Sequence, residues 1–127
     1  MSTIVTSNVS DGTLSIPTTY VTNGSAKAWV NFNGTGTIAA RDSFNVASLT
    51  DNGTGSFTVN FTSSFGATDY SILGTGNIAT NNAGRSVSAP SASTYLASAF
   101  GINCFRTDTL TAEDFAFVSA AAHGDLA

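Results

Sequence analysis

Few residues of this chain could carry chemistry, and their spacing decides what each could do. The eight carboxylates are Asp11, Asp42, Asp51, Asp69, Asp108, Glu113, Asp114 and Asp125. Three of them gather in "RTDTLTAEDF" (Arg106–Phe115), the only place where a paired acid and base, or a cation site, could be imagined. A hydrolase working there would lose activity on Asp108→Asn or Glu113→Gln. Charged residues flanking a strand are more often simply solvated, and that is the expectation. His123 is the single histidine, so one chain cannot build a multi-histidine zinc site. Copies meeting on a symmetry axis would have to supply further imidazoles. Cys104 is the single cysteine, which excludes an internal disulfide. In "AFGINCF" it reads as a small apolar side chain of the core. The glycine runs "GTGTIAA" and "GTGN" open no helix, so they read as hairpin turns rather than phosphate loops. No catalytic residue, metal or cofactor is expected.

The elements that must position these groups read as almost entirely β, since alternation and turn signals recur at short intervals. "AKAWVNF" (Ala26–Phe32) is a strand with Ala28, Val30 and Phe32 on one face and Trp29 on the other. "NGTG" (Asn33–Gly36) supplies residues that tolerate positive φ, as a hairpin needs. "TIAARDSFNVASL" (Thr37–Leu49) reads as one return strand, with a bend or bulge at its polar centre, Arg41–Ser43. "DNGTG" (Asp51–Gly55) turns the chain again into "SFTVNFT", where Phe57, Val59 and Phe61 alternate cleanly with polar residues. Further strands are expected at Tyr70–Asn77 and at Asp114–His123. "STYLASAFGINCFRT" (Ser93–Thr107) reads as one long strand, or two joined by a bulge at Gly101. The expected fold is an antiparallel β-sandwich, jelly-roll-like, of six to eight strands. Its expected core is Val30, Phe32, Phe44, Val46, Phe57, Val59, Phe61, Ile72, Leu96, Phe100, Phe115 and Phe117.

Two segments fall outside this pattern. Residues 1–24 carry thinly spread apolar groups, too few to offset the entropy of ordering them alone. They read as an extended N-terminal arm for attachment or oligomerisation, ahead of a sandwich domain over residues 25–127. The run "ATNNAGRSVSAPSA" (Ala79–Ala92) reads as a long loop, and such loops on rigid β scaffolds often bind ligands. Asn81, Asn82 and Arg85 are its candidate ligand contacts, offering amides and one guanidinium to a sugar or surface polymer.

Composition narrows the function classes. Only 9% of residues are charged, against roughly 25% in ordinary soluble proteins. A polar but ion-poor surface suits packing against other proteins, because burying a hydroxyl costs less than burying an ion. An oligomer is therefore expected, with Trp29, Tyr20 and Val21 as interface candidates. The net charge of −4 and only four basic residues, Lys27, Arg41, Arg85 and Arg106, argue against nucleic-acid binding. No apolar run reaches the ~20 residues of a bilayer-spanning helix, and the first residues do not read as a signal peptide. Membrane insertion is not expected, and synthesis in a cytoplasm is. Five Asn-x-Ser/Thr triplets occur, of which three are Asn-Gly turns.

The stretch "SAKAWVNFNGTGTIAARDSFNVASLTDNGTGSFTVNFT" (Ser25–Thr62) resembles a segment of bacteriophage tail-fibre and other virion structural proteins. The shared features are Ala-Lys-Ala-Trp-Val-Asn-Phe, then Asn-Gly-Thr-Gly, then Asp-Asn-Gly-Thr-Gly ahead of Phe-Thr-Val-Asn-Phe. They cover about a third of the chain. The resemblance implies a virion β-domain assembled as a homotrimer, placed at a fibre tip and contacting a host glycan or protein. It implies no enzymatic work. Residues 1–24 also resemble the short arms that join such domains to other tail, fibre or capsid proteins. The family's fibres carry a long shaft that this chain lacks, so a capsid decoration (cement) protein stabilising the phage head is the alternative.

Overall fold

The structure is a computed structural model that describes residues 1–79, 84–90 and 94–127. Residues 1–24 form a small hairpin, β1 (Asn8–Ser10) and β2 (Ser15–Pro17), followed by the short helix α1 (Thr18–Gly24). Where the sequence reads as an extended arm, the chain thus has local structure. None of these residues is buried.

From Ala28 onward two antiparallel sheets pack face to face as a β-sandwich. One holds β4 (Ala39–Phe44), β3 (Ala28–Asn33), β11 (Phe117–His123) and β7 (Ser71–Asn77), in that order. The other holds β5 (Val46–Gly53), β6 (Ser56–Phe61), β10 (Ala99–Arg106) and β8 (Arg85–Ser88), with β9 (Tyr95–Leu96) also paired to β10. The facing sides follow the pleat. Ala28, Val30 and Phe32 of β3 and Val118, Ala120 and Ala122 of β11 meet Phe57, Val59 and Phe61 of β6 and Phe100, Ile102 and Cys104 of β10. Phe32 and Phe57 touch edge to face across the sheets, with centroids 5.3 Å apart. One end is filled by Phe61, Phe65, Tyr70 and Phe100. There the Tyr70 hydroxyl sits 2.9 Å from the Leu96 carbonyl and 2.8 Å from that of Ala99.

Local chemistry explains the turns. Asn33 folds its carboxamide onto Thr35, accepting from the Thr35 amide at 3.2 Å and its hydroxyl at 2.8 Å. Gly36 has φ 62°, which fits the positive φ that hairpin loops favour. The Asp51 carboxylate caps the next turn through the Gly53 amide at 2.9 Å.

Four sequence expectations are corrected. Thr37–Leu49 is not one strand: it breaks at Asn45 into β4 and β5, which belong to different sheets. Asn45 sits at φ 55°, a left-handed conformation that Asn tolerates better than most residues. Its side chain ties the corner, donating to the carbonyls of Lys27 and Ser63 and accepting from the Ser63 amide at 2.7 Å. Second, the reversal in Ser93–Thr107 lies at Ala97–Ser98, between β9 and β10, and not at Gly101. Gly101 lies inside β10, where a Cβ would meet Thr94 at 2.8 Å and Pro90 at 3.0 Å. Third, Ala79–Ala92 is not wholly loop, since β8 pairs with β10 through Arg85–Ser88.

The fourth correction concerns the core. Phe44, Leu96 and Phe117 are exposed, and Phe65, Tyr70, Ile102 and Val118 take their place. β11 starts only at Phe117, so Phe115 plugs the core end while Phe117 points outward and Val118 inward. Phe44 is turned out by a bulge. Asp42 pairs with Asn31 but Ala40 pairs with Phe32, leaving Arg41 as the extra residue that flips the faces of the strand around it.

Candidate functional site

The three clustered carboxylates are drawn apart by separate partners. Asp108 forms a bidentate pair with Arg106, Nη2 to Oδ2 at 2.6 Å and Nε to Oδ1 at 3.0 Å. The bond from Arg106 holds its carboxyl down to about 2. Glu113 pairs with Arg85, Nε to Oε2 at 2.9 Å. Asp114 accepts the Gly55 amide at 2.7 Å, fastening the β5–β6 turn to the segment ahead of β11. Among the described residues no group of three or more His, Cys, Asp or Glu side chains could hold a metal ion. Cys104 is buried, and its thiol is pushed up to about 12, first by burial and then by the charge of Asp114. A thiol held so far above neutral pH is not a nucleophile. No helix among the described residues is long and apolar enough to cross a membrane.

The candidate ligand contacts fare unequally. Asn81 and Asn82 lie outside the described residues. Arg85 belongs to β8, and its side chain is only 3% exposed, running inside toward Glu113 and past the Phe115 ring at 5.8 Å. Its guanidinium pairs with Glu113 and donates to the Gly84 carbonyl.

The outer face of the sheet β4–β3–β11–β7 is the most unusual surface. Register places Phe44 beside Trp29, Trp29 beside Ala121, and Ala121 beside Leu73. All four lie on the side away from the core, so one apolar row crosses every strand of the sheet. Phe44 is 55% exposed, Trp29 38% and Leu73 63%. Between Trp29 and Leu73, over Gly74 and Ala121, lies a shallow depression of about 440 Å³. The next row is polar: Asp42, Asn31, Ser119 and Thr75, with Asn31 donating to the Ser119 hydroxyl at 2.7 Å. Beyond it the bulged Arg41 lies over the Phe117 ring at 4.6 Å, donates to the Ala116 carbonyl at 2.6 Å and reaches Asn31. Thus an apolar band is bordered by a hydrogen-bonded polar band.

Trp29 is on this face, as the alternation of β3 requires. Tyr20 and Val21 lie on α1, both exposed and remote from the core. Phe44, Ala121 and Leu73 escaped the sequence reading. The signal for Phe44 was the bulge, visible only as a polar Arg-Asp-Ser interruption. Leu73 gave none, because a single Leu between Ile72 and Gly74 fits either face.

Compared with family models, with curated proteins and with solved structures, the chain matches none of them.

Proposed function

We propose that this chain is a bacteriophage virion structural protein, a trimeric tail-fibre component that contacts the host surface. The observation that carries the reading is the uncovered apolar row Phe44–Trp29–Ala121–Leu73, on a molecule with very few charges. A monomer leaves such a row wet. Interface centres, by contrast, are depleted of charged residues and enriched in aromatics. The resemblance of Ser25–Thr62 to virion β-domains supplies the setting. Asn81 and Asn82 are the proposed contacts to a host glycan or protein, and several weak sites on a trimer would add up through avidity. Fixed virion partners would hold residues 1–24.

A second reading, a capsid decoration protein, is favoured by one observation. None of residues 1–24 is buried, which suits clamping onto neighbouring capsid subunits. Immunogold electron microscopy of particles carrying the protein separates the two. Label at fibre tips is the expected outcome, and adsorption then falls when Asn81 and Asn82 are replaced by Gly. Label spread over the head selects the decoration reading, and unlabelled particles would remove both.

A further inference from the structure

Two surfaces of this chain are apolar, uncovered and close in sequence: the outer row of the β4–β3–β11–β7 sheet, and residues 1–24. Of the fifteen large apolar side chains exposed among the described residues, eight belong to residues 1–24, which make up under a fifth of the chain. In the hairpin, Val9 lies directly opposite Ile16, so both project from one side as an apolar pair. Tyr20 and Val21 follow on α1. Among the described residues, hydrogen bonds of residues 1–24 stay within the segment or reach only Ser25 and Lys27. Among the described residues, no hydrogen bond ties the segment to a strand of its own sandwich.

We infer that residues 1–24 of one copy dock on the outer sheet face of a second copy, setting the Val9–Ile16 pair and Tyr20 against Trp29, Phe44 and Leu73. This deepens the reading that the chain assembles with itself, and rests on it.

The tether favours a second copy over the chain's own face. Trp29 is only five residues from Gly24, and the link between them is pinned. The Lys27 amide donates to the Ala122 carbonyl at 2.8 Å, while the Lys27 carbonyl accepts from Asn45 at 3.0 Å. The Ser25 amide is bonded to the Val21 carbonyl at 3.2 Å. Folding back over its own row would require a reversal within Ser25 and Ala26 alone. Size agrees too, since a standard interface uses about 20–30 residues a side, and the segment has that length. Charge does not oppose the contact. Asp11 is the only charged side chain in residues 1–24, and the row itself has none. Such a contact joins unlike surfaces, so three copies passing segments around a ring would close into a trimer.

The test uses full-length protein and two variants at exposed positions, Leu73→Glu on the face and the pair Val9→Ser with Ile16→Ser on the segment. Phe44→Ser serves as a second face variant should Leu73→Glu not fold, with circular dichroism as the check. Sedimentation measures mass across a dilution series, and the emission of Trp29, the only Trp, reports whether the face is covered. The expected result is an oligomer for the parent protein. Each variant should then dissociate at least about tenfold more readily, the loss of 1.4 kcal/mol or so, with Trp29 emission shifted to the red. Mixing a face variant with the segment variant should give a mixed dimer through the one intact junction, the segment of the first on the face of the second, without closing the ring. An oligomeric parent whose association only the face variant weakens would mean face meets face, and the inference fails while self-assembly stands. An oligomeric parent unaffected by either variant overturns it likewise. A parent monomeric at every concentration overturns both this inference and the assembly reading beneath it.

Discussion

At the scale of single residues, ion pairing explains why the acids do not converge. Asp108 is spent on Arg106 and Glu113 on Arg85, so the sequence cluster "RTDTLTAEDF" becomes three separate anchors. Nothing in the spacing revealed this, since Arg85 reaches Glu113 only through the pairing of β8 with β10. Asp108 offers a direct check. Its folded carboxyl is held near 2, below the ordinary 3.8, so the pair's contribution is complete above 3.8. It is lost as pH falls through about 2, the direction expected for a depressed acid. The carboxylate is open to solvent, so its effect on stability is small, and the titration itself is the useful readout. A carbon-detected NMR titration should place the Asp108 midpoint at about 2, and Arg106→Gln should return it toward 3.8. A midpoint that ignores Arg106→Gln would show that the pair does not form in solution.

At the scale of elements, the main sandwich strands were readable, and so were their faces wherever no extra residue enters. Period-two alternation in "SFTVNFT" places Phe57, Val59 and Phe61 inward, and all three are buried. Likewise Phe-Ala-Phe-Val overrides the helix propensity of the following alanines, and β11 extends to His123 as a strand. Alternation fails where one extra residue enters. Arg41 turns Phe44 outward, and the late start of β11 turns Phe117 outward, because a slip of one residue reverses a strand. The switch between sheets at Asn45 was hidden for another reason. It uses one residue with long-range side-chain bonds, not a Gly or Pro turn that a sequence displays. Asn45→Ala removes three hydrogen bonds and puts a β-carbon residue without local compensation at φ 55°. The expected loss is about 4 kcal/mol, from roughly 1 kcal/mol for each of the three bonds and roughly 1 kcal/mol of left-handed strain. Asn45→Gly keeps the backbone freedom and should recover part of that loss in urea unfolding. Equal midpoints for Asn45→Ala and the parent would show that the corner is held by packing alone.

At the scale of the whole molecule, the sandwich pairs two of its four basic side chains within the chain and leaves several aromatics partly outside. Arg85–Glu113 and Arg106–Asp108 are ion pairs within the chain, and the apolar row has no ion. An assembly built on that row gains from removing apolar surface from water, not from Coulomb attraction. The distinction is measurable, since raising sodium chloride from about 0.1 M to about 1 M shortens electrostatic reach from about 10 Å to about 3 Å. Association of the parent protein should therefore hold across that range, or strengthen slightly, in sedimentation runs at matched concentrations. Arg41 lies on the same sheet beyond the polar row, and it already stacks on Phe117 and bonds the Ala116 carbonyl. Arg41→Gln should then weaken association far less than Leu73→Glu does. Dissociation into single chains at the higher salt would mean that ionic contacts hold the copies together. The row Phe44–Trp29–Ala121–Leu73 would then be a bystander to assembly.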